Sequence, residues 1–494
     1  MAHSKMTREQ REQTRREFFR NAGCAALGMS GLMSQMWDMR RIAAAAQLPG
    51  TRIGAQPEIG AAGGAPGSGY KALVCLFLYG GNDSNNTIIP LNGGDYASYA
   101  SARQGLALPQ GQLHPITLAN YAGPDLGLHP SMPDLAGLIN AGKVAVLGNV
   151  GTLVEPMTLA QYQQGFRSKP LQLFSHSDQQ FQWQTSISTG EARTGWGGRA
   201  AEIMDALNNN PKVAMSISLN GTNTFQVADD VETFQVDPKS GPPALWEYAE
   251  NPGAGSWEER RSRAIQASIR RDTGNLLDGR YNEVFDNALA NNAVAAEAIA
   301  KFPQTNAPFT AFDRDTDLGR QLQMIARLIA ARNEPGMPDQ RQVFFAGING
   351  FDTHGSQLTP HNNLLRELND GLKAFHDAMN ALGVWDNVTL FTSSDFGRNY
   401  VMNGDDGSDH GWGSDHFVMG GSVDGGKLYG QFANRQVNGP DDVSLGRWLP
   451  TTSVDEYGVT MARWFGVSRA DLPQVFPNIG RFANGVDTDL GFFR

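Results

Sequence analysis

Four of the nine histidines fall in loops crowded with Asp, Ser and Gly. His176 lies in LFSHSDQQ (173–180), and His354 in GFDTHG (350–355). His410 and His416 share SDHGWGSDH (408–416). Two more polar segments close apolar runs: LYGGND ends on Asp83, and SSDFGR (393–398) carries Asp395 and Arg398. Carboxylate oxygens and imidazole nitrogens are the donors that hard and borderline divalent ions take. Asp83, Asp352, His354, Asp395, His410 and His416 can therefore share an ion if their loops meet. Zinc accepts such a mixed set and manganese does too, whereas calcium prefers fewer histidines. Each residue also has a plainer use. Asp83 can serve a turn or a helix cap, Asp352 and His354 the start of a helix near Ser356, and Asp395 a turn before Gly397. Asp405, Asp406 and Asp409 lack calcium-loop spacing and read as solvating loop residues.

Ser175 and His176 precede a short helix. A serine near a helix N-terminus and a metal loses its proton more readily and can attack phosphorus or sulfur. His176 or His416 can then assist proton transfer, and Arg398 can stabilise an anionic group. The plainer use of Ser175 is an N-cap, with Gln179 or Gln180 completing a capping box. No Gly-x-Ser-x-Gly surrounds a candidate serine, which disfavours a Ser-His-Asp esterase, and no Walker loop is present.

The elements that must position these groups alternate. ALVCLFLY (72–79), KVAVLGN (143–149), VFFA (343–346) and VTLFT (388–392) are apolar runs of buried-strand length. Between them lie helix signals: Met132–Ile139, the Leu318, Leu322, Ile325, Leu328, Ile329 face, and the Leu364, Leu365, Leu368, Leu372, Phe375, Met379 face. This alternation predicts an α/β fold, a mainly parallel sheet sandwiched by helices. Ligands in such sheets bind beyond the carboxyl ends of the strands, where the loops above fall. Residues 213–227 read as a hairpin and Trp257–Phe302 as long helices. Together they suggest a partly helical insertion at about 200–306 in a domain spanning 71–494.

The first residues read as an address. Thr14-Arg15-Arg16-Glu17-Phe18-Phe19 resembles a twin-arginine export signal. A weakly apolar stretch too short to span a membrane follows, with small residues at 43–46. Residues 1–46 are the expected signal peptide, and 47–70, rich in Gly, Ala and Pro, a flexible linker. The twin-arginine translocase is the expected partner in export, to periplasm or exterior, with no stable transmembrane span. Cys24 falls in the signal and Cys75 in an apolar run, so no internal disulfide or thiolate metal site is expected. A formal charge of −10 argues against nucleic-acid binding.

LVCLFLYGGNDSNNTIIPL, LHPSMPDLAGLINAGKVAVLGNVG, LFSHSDQ, FDTHGSQ, SSDFGR, SDHGWGSDHFVMGG and LPTTSVDEYGVTMARWFGV, with the twin-arginine start, resemble the bacterial family called domain of unknown function 1501. The resemblance covers nearly all of residues 71–480. It implies a core like the alkaline-phosphatase and sulfatase superfamily. In that superfamily's order of parts, Asp83 matches a metal-binding aspartate after the first strand. Pro133–Val150 leads to a nucleophile loop at Ser175, and Asp352, His354, Asp395 and His410 match later ligands. The chain also departs from that pattern. Asp352 and His354 stand closer together than in bimetallic phosphatases, Phe396 follows Asp395 where an Asp-His pair is usual, and Ser175 lacks the Cys/Ser-x-Pro-x-Arg setting. One metal, or an inactive relative, is implied. The leading expectation is an exported metal-dependent hydrolase of phosphate or sulfate esters, acting on a small-molecule, lipid or glycan ester. The rival is a non-catalytic envelope or glycan-binding protein on the same scaffold.

Overall fold

The computed structural model describes residues 69–242, 253–270 and 276–494. The export signal, Cys24 and nearly all of the linker expected over residues 1–70 lie outside the described residues.

Among those residues, nine strands join one sheet: β1 (Lys71–Tyr79), β2 (Val144–Gly151), β3 (Ser216–Ser218), β4 (Thr233–Gln235), β5 (Arg341–Asn349), β6 (Val388–Ser394), β7 (Ser414–Gly420), β8 (Leu428–Gly430) and β9 (Thr452–Ser453). The order is β8-β2-β7-β6-β1-β5-β3-β4, with β9 paired to β2. β1 lies between β5 and β6 and is parallel to both. Pairings involving β3, β4, β8 and β9 are parallel too, and only β7 runs antiparallel to its neighbours.

Helices α1 (Gly93–Arg103), α2 (Pro133–Asn140), α3 (His176–Thr185), α4 (Asp317–Ala330), α5 (Leu358–Ala381) and α6 (Val454–Phe465) belong to the same unit. Side chains of β1 alternate between two cores. Ala72, Val74, Leu76 and Leu78 join one core with Leu135 of α2, Leu322 of α4 and Leu368 of α5. Leu73, Cys75 and Phe77 join the other with Trp183 of α3 and Val459 of α6. A strand buried on both faces has no polar alternation, which is why ALVCLFLY is continuously apolar. Each of the Val, Leu and Phe side chains contributes about 1.5–3 kcal/mol by leaving water.

The expected hairpin at 213–227 is absent. β3 instead pairs parallel with β5 and β4 and extends the sheet edge. The Gln226 amide donates to the carbonyls of Ile217 and Val343, tying the returning chain to two strands. Its partial alternation reflects this edge packing. The long helices arrive as read, at Trp257–Ile269 and Leu276–Ala300. Residues 246–288 fall in a separate compact unit. There Ser256 caps the first helix by accepting from the Glu259 amide, and Arg270 pairs with Asp286. Among the described residues no helix is long and apolar enough to cross a membrane.

Register places the chemistry. Tyr79 lies opposite Asn349 and Leu78 opposite Ser394, so β1, β5 and β6 end together. The loops carrying Asp83, Asp352 and Asp395 therefore leave one edge of the sheet. Because β7 is antiparallel to β6, it starts where β6 ends. The His410 loop reaches the same edge, held by an antiparallel bridge between Arg398 and His410.

Candidate metal centre

Three imidazoles and one carboxylate converge beyond these strand ends. His354 Nε2 lies 3.0 Å and His410 Nε2 3.3 Å from Asp352 Oδ1, and His176 Nε2 lies 3.4 Å from Oδ2. One donor atom each from His176, Asp352 and His410 lies within 4.8 Å of the other two. His354 Nε2 and His410 Nε2 stand 2.9 Å apart.

The other ring nitrogens decide what this means. His176 Nδ1 faces Asp395 Oδ2 at 2.6 Å, His354 Nδ1 faces Asp409 Oδ1 at 2.9 Å, and His410 Nδ1 faces the Phe174 carbonyl at 2.7 Å. These partners only accept, so each Nδ1 carries the proton and each Nε2 presents a lone pair. Two lone pairs 2.9 Å apart repel unless a cation, a proton or a metal ion, stands between them. His176 Nε2 makes no hydrogen bond although buried. Outer acceptors that fix the tautomer of each inward-facing imidazole are the hallmark of a metal-ligating set.

The carboxylates are braced from behind. Gly80, at the end of β1 with φ +110°, donates its N–H to Asp395 Oδ1 at 3.1 Å. A Cβ there would collide with the Asp352 backbone nitrogen, so this position requires glycine. Gln180 of α3 also donates to Asp395, at 2.7 Å. Asp352 receives Arg398 Nη1 at 2.7 Å. Burial alone would raise the Asp352 carboxyl pKa, but Arg398, His354 and His176 outweigh it and hold it below its ordinary value. The hydrogen bond to Asp395 raises the pKa of His176 against a smaller opposing effect of burial. Burial lowers that of His410, with the Arg398 charge acting in the same sense.

These directions would set the pH dependence of ion uptake at such a centre. A metal must displace the proton from His176 Nε2. Because that pKa is raised, the proton begins to compete at a pH above the ordinary imidazole value of about 6.5. Metal affinity should be full well above that point and fall as pH drops through it. Stability of the metal-free chain should change oppositely, since a raised pKa favours the protonated folded state at low pH. Calorimetric titration at stepped pH checks the first, and melting of chelated protein the second. Flat affinity between about pH 8 and 6 would remove His176 from the ligand set.

The remaining expected site residues take other places. Asp83 is fully buried in an ion pair with Arg103, itself fully buried, and accepts from Gln357 as well. It stands outside the cluster. Asp395, expected as a ligand, lies behind His176. Arg398, expected to meet a substrate anion, is 1% exposed. Its donors go to Asp352, the Gly80 carbonyl, and the Ser408 carbonyl and hydroxyl, so it aligns Asp352 instead. His416 lies inside β7 against Trp183 and Thr392, where burial pushes its pKa down to about 3. Ser175 adjoins His176 but makes no capping bond, and its hydroxyl donates to Asp178 at 2.6 Å.

Other contributors went unread in the sequence. Phe396 stacks on both His176 and His410, with ring centroids 4.8 and 4.7 Å away. Asp409, read as a solvating residue, orients His354. Phe174 offers His410 its carbonyl, from a backbone at φ +74°. A non-glycine residue there carries strain of about 1–3 kcal/mol, which such sites often store. An Asp immediately before a His in a Ser/Gly loop was the available signal for Asp409; Phe174 offered none.

Residues 70–444 match the family described as a protein of unknown function, DUF1501. The chain belongs to the DUF1501 family. No curated protein matches it. Among solved structures, this DUF1501 protein is similar to Ps i-CgsB in complex with k-i-k-neocarrahexaose, at 9% identity over 83% of this chain and 77% of that one, TM-score 0.30. It is also similar to a protein in the alkaline phosphatase superfamily from Vibrio parahaemolyticus, at 9% identity over 81% and 67%, TM-score 0.30. Lipoteichoic acid synthase LtaP from Listeria monocytogenes shows 9% identity over 85% and 76%, TM-score 0.33. Overlap at this level leaves the chemistry of the DUF1501 centre to its own donor set.

Proposed function

We propose that this chain is an exported, metal-dependent hydrolase of phosphate or sulfate esters with one metal centre. The convergence of three Nε2 lone pairs on Asp352, each Nδ1 already engaged, carries the reading. Charge supports it. Asp83 is matched by Arg103 and Asp352 by Arg398, whereas Asp395 and Asp409 meet histidines, leaving two negative charges for a divalent ion to balance. His176, His354, His410 and Asp352 would hold it. A set dominated by nitrogen suits zinc, and manganese less well; calcium needs more oxygens than the cluster offers. A bound ion would supply Lewis acidity toward an ester oxygen.

The chain's own groups do the rest. Ser175 sits where α3 begins, its proton already directed at Asp178. Its oxygen would attack phosphorus or sulfur while Asp178 takes the proton, the bond to the ester's alcohol would break and the alcohol leave with that proton, and water would then hydrolyse the serine ester to free phosphate or sulfate. His176 is held by Asp395, so its ring cannot rotate away. The Thr14–Phe19 motif supports export through the twin-arginine translocase, which carries folded chains.

The test is metal content by mass spectrometry on protein purified without affinity metal, followed by turnover of aryl phosphates and aryl sulfates with and without chelator. About one tightly held ion per chain and chelator-sensitive turnover are expected. A chain that takes up no zinc, manganese or calcium would instead be the non-catalytic binding protein.

A further inference from the structure

Arg398 is enclosed, so an anionic ligand arriving at the centre must meet a different cation. Arg447 is half-buried on the loop between Asp442 and Trp448. Its Nε donates to the His410 carbonyl at 2.7 Å. Its guanidinium carbon lies 5.3 Å from the ring centre of Phe174, the residue before Ser175. Arg447 thus touches two of the three segments that bring imidazoles to the centre. Among the described residues no carboxylate pairs with it, and Nη1 and Nη2 make no hydrogen bond.

The loop holds this arginine firmly. Asp442 accepts from the amides of Asn438 and Gly446 at 2.8 and 2.7 Å. The Tyr400 amide donates to the Gly446 carbonyl at 3.1 Å, and Trp448 Nε1 donates to Asn85 at 2.9 Å. A guanidinium fixed at Nε, with its terminal donors uncommitted, is prepared for an oxyanion before the ligand arrives.

The geometry points to Arg447 as the residue that recognises the anionic group of the ligand, using Nη1 and Nη2 against two oxygens of a phosphoryl or sulfuryl group. This rests on the metal reading above and gives it a specificity-determining residue. Arg447 approaches only the backbone of His410, so its loss removes anion affinity without removing a metal ligand.

Inorganic phosphate and sulfate are the probes, titrated calorimetrically into the full chain with and without bound metal, for wild type, Arg447→Ala and Arg447→Lys. The absorption spectrum of the cobalt-loaded proteins reports whether His410 has moved. Arg447→Ala should weaken phosphate binding about 10–100-fold, the value of charge-assisted hydrogen bonds, with metal content and cobalt spectrum unchanged. Arg447→Lys should recover part of the loss. Equal phosphate affinity in wild type and Arg447→Ala overturns the assignment, as does a loss matched by a changed cobalt spectrum. If wild type takes up no metal, the metal reading fails by itself. Arg447-dependent phosphate binding to the metal-free chain would then sustain this inference, and its absence would end it. Should Arg447→Ala not fold, Arg447→Gln supplies the uncharged arm.

Discussion

Asparagine at position 352 should leave the chain folded and strip it of stoichiometric metal. The Asp352 carboxylate touches every other member of the centre, with His354, His410 and His176 at 3.0, 3.3 and 3.4 Å and Arg398 at 2.7 Å. Asparagine keeps the shape but removes the charge and replaces one oxygen with a donor. Affinity should fall by more than about 100-fold, beyond the roughly 10–100-fold that loss of an outer partner costs, and turnover should fall with it. The fold should survive. The Asp352 side chain is 43% exposed, and Arg398 keeps its bonds to Gly80 and Ser408. A penalty of about 1–3 kcal/mol is expected for its weakened partner. Metal analysis and thermal melting of one preparation separate the two effects. An ion retained at full occupancy in Asp352→Asn would dissolve the proposed centre.

Alanine at position 83 should do the reverse. Both Asp83 and Arg103 are fully buried, and the pair is the hub of a polar network. Gln357 donates to Asp83, the Ser408 hydroxyl to Gln357 at 2.5 Å, and Arg103 Nε to Asn86 at 3.1 Å. Burial opposes ionisation of Asp83, but Arg103, His361, Gln357 and Arg398 together hold its pKa below the ordinary value. Removing the carboxylate leaves a guanidinium buried without its counter-charge, which costs about 3–5 kcal/mol. The urea midpoint of Asp83→Ala should drop accordingly, while the fraction that remains folded binds metal as wild type does. Lost metal at unchanged stability would return Asp83 to the ligands.

These two aspartates show how far a sequence can be read here. Both follow an apolar strand and a glycine, and both loops reach the same edge of the sheet. That much was legible, because a strand buried on both faces must be continuously apolar and its polar sequel must lie outside. Which aspartate turns inward was not legible. Asp83 is settled by Arg103, on a helix whose composition shows no sign of carrying a buried cation. Ser408-Asp409-His410 and Ser414-Asp415-His416 make the same point. His410 precedes β7 and joins the centre, whereas His416 lies within β7 and faces the Trp183 core. The strand-like Phe417-Val418-Met419 after the second copy was the clue to their different fates. His176 is legible as a reactive residue, yet its role depends on Asp395 across 219 residues of chain. The hydrogen bond from His410 to Phe174 uses only a carbonyl, which every residue possesses.

The convergence also has a consequence for the chain as a polymer. His410 bonds Phe174, two residues before His176, across 236 residues of sequence, and Asp352 enters from a third segment. An ion shared by these segments acts as a reversible cross-link. The entropy of closing such loops rises only as the logarithm of their length, so the long separation adds little to the cost already met in folding. An ion that binds only the folded chain adds about 2.7 kcal/mol when free metal stands 100-fold above its dissociation constant. With the proposed ion in place, the tightness of the fold would follow the ionic composition of its surroundings, firm where the ion is plentiful and looser under chelation.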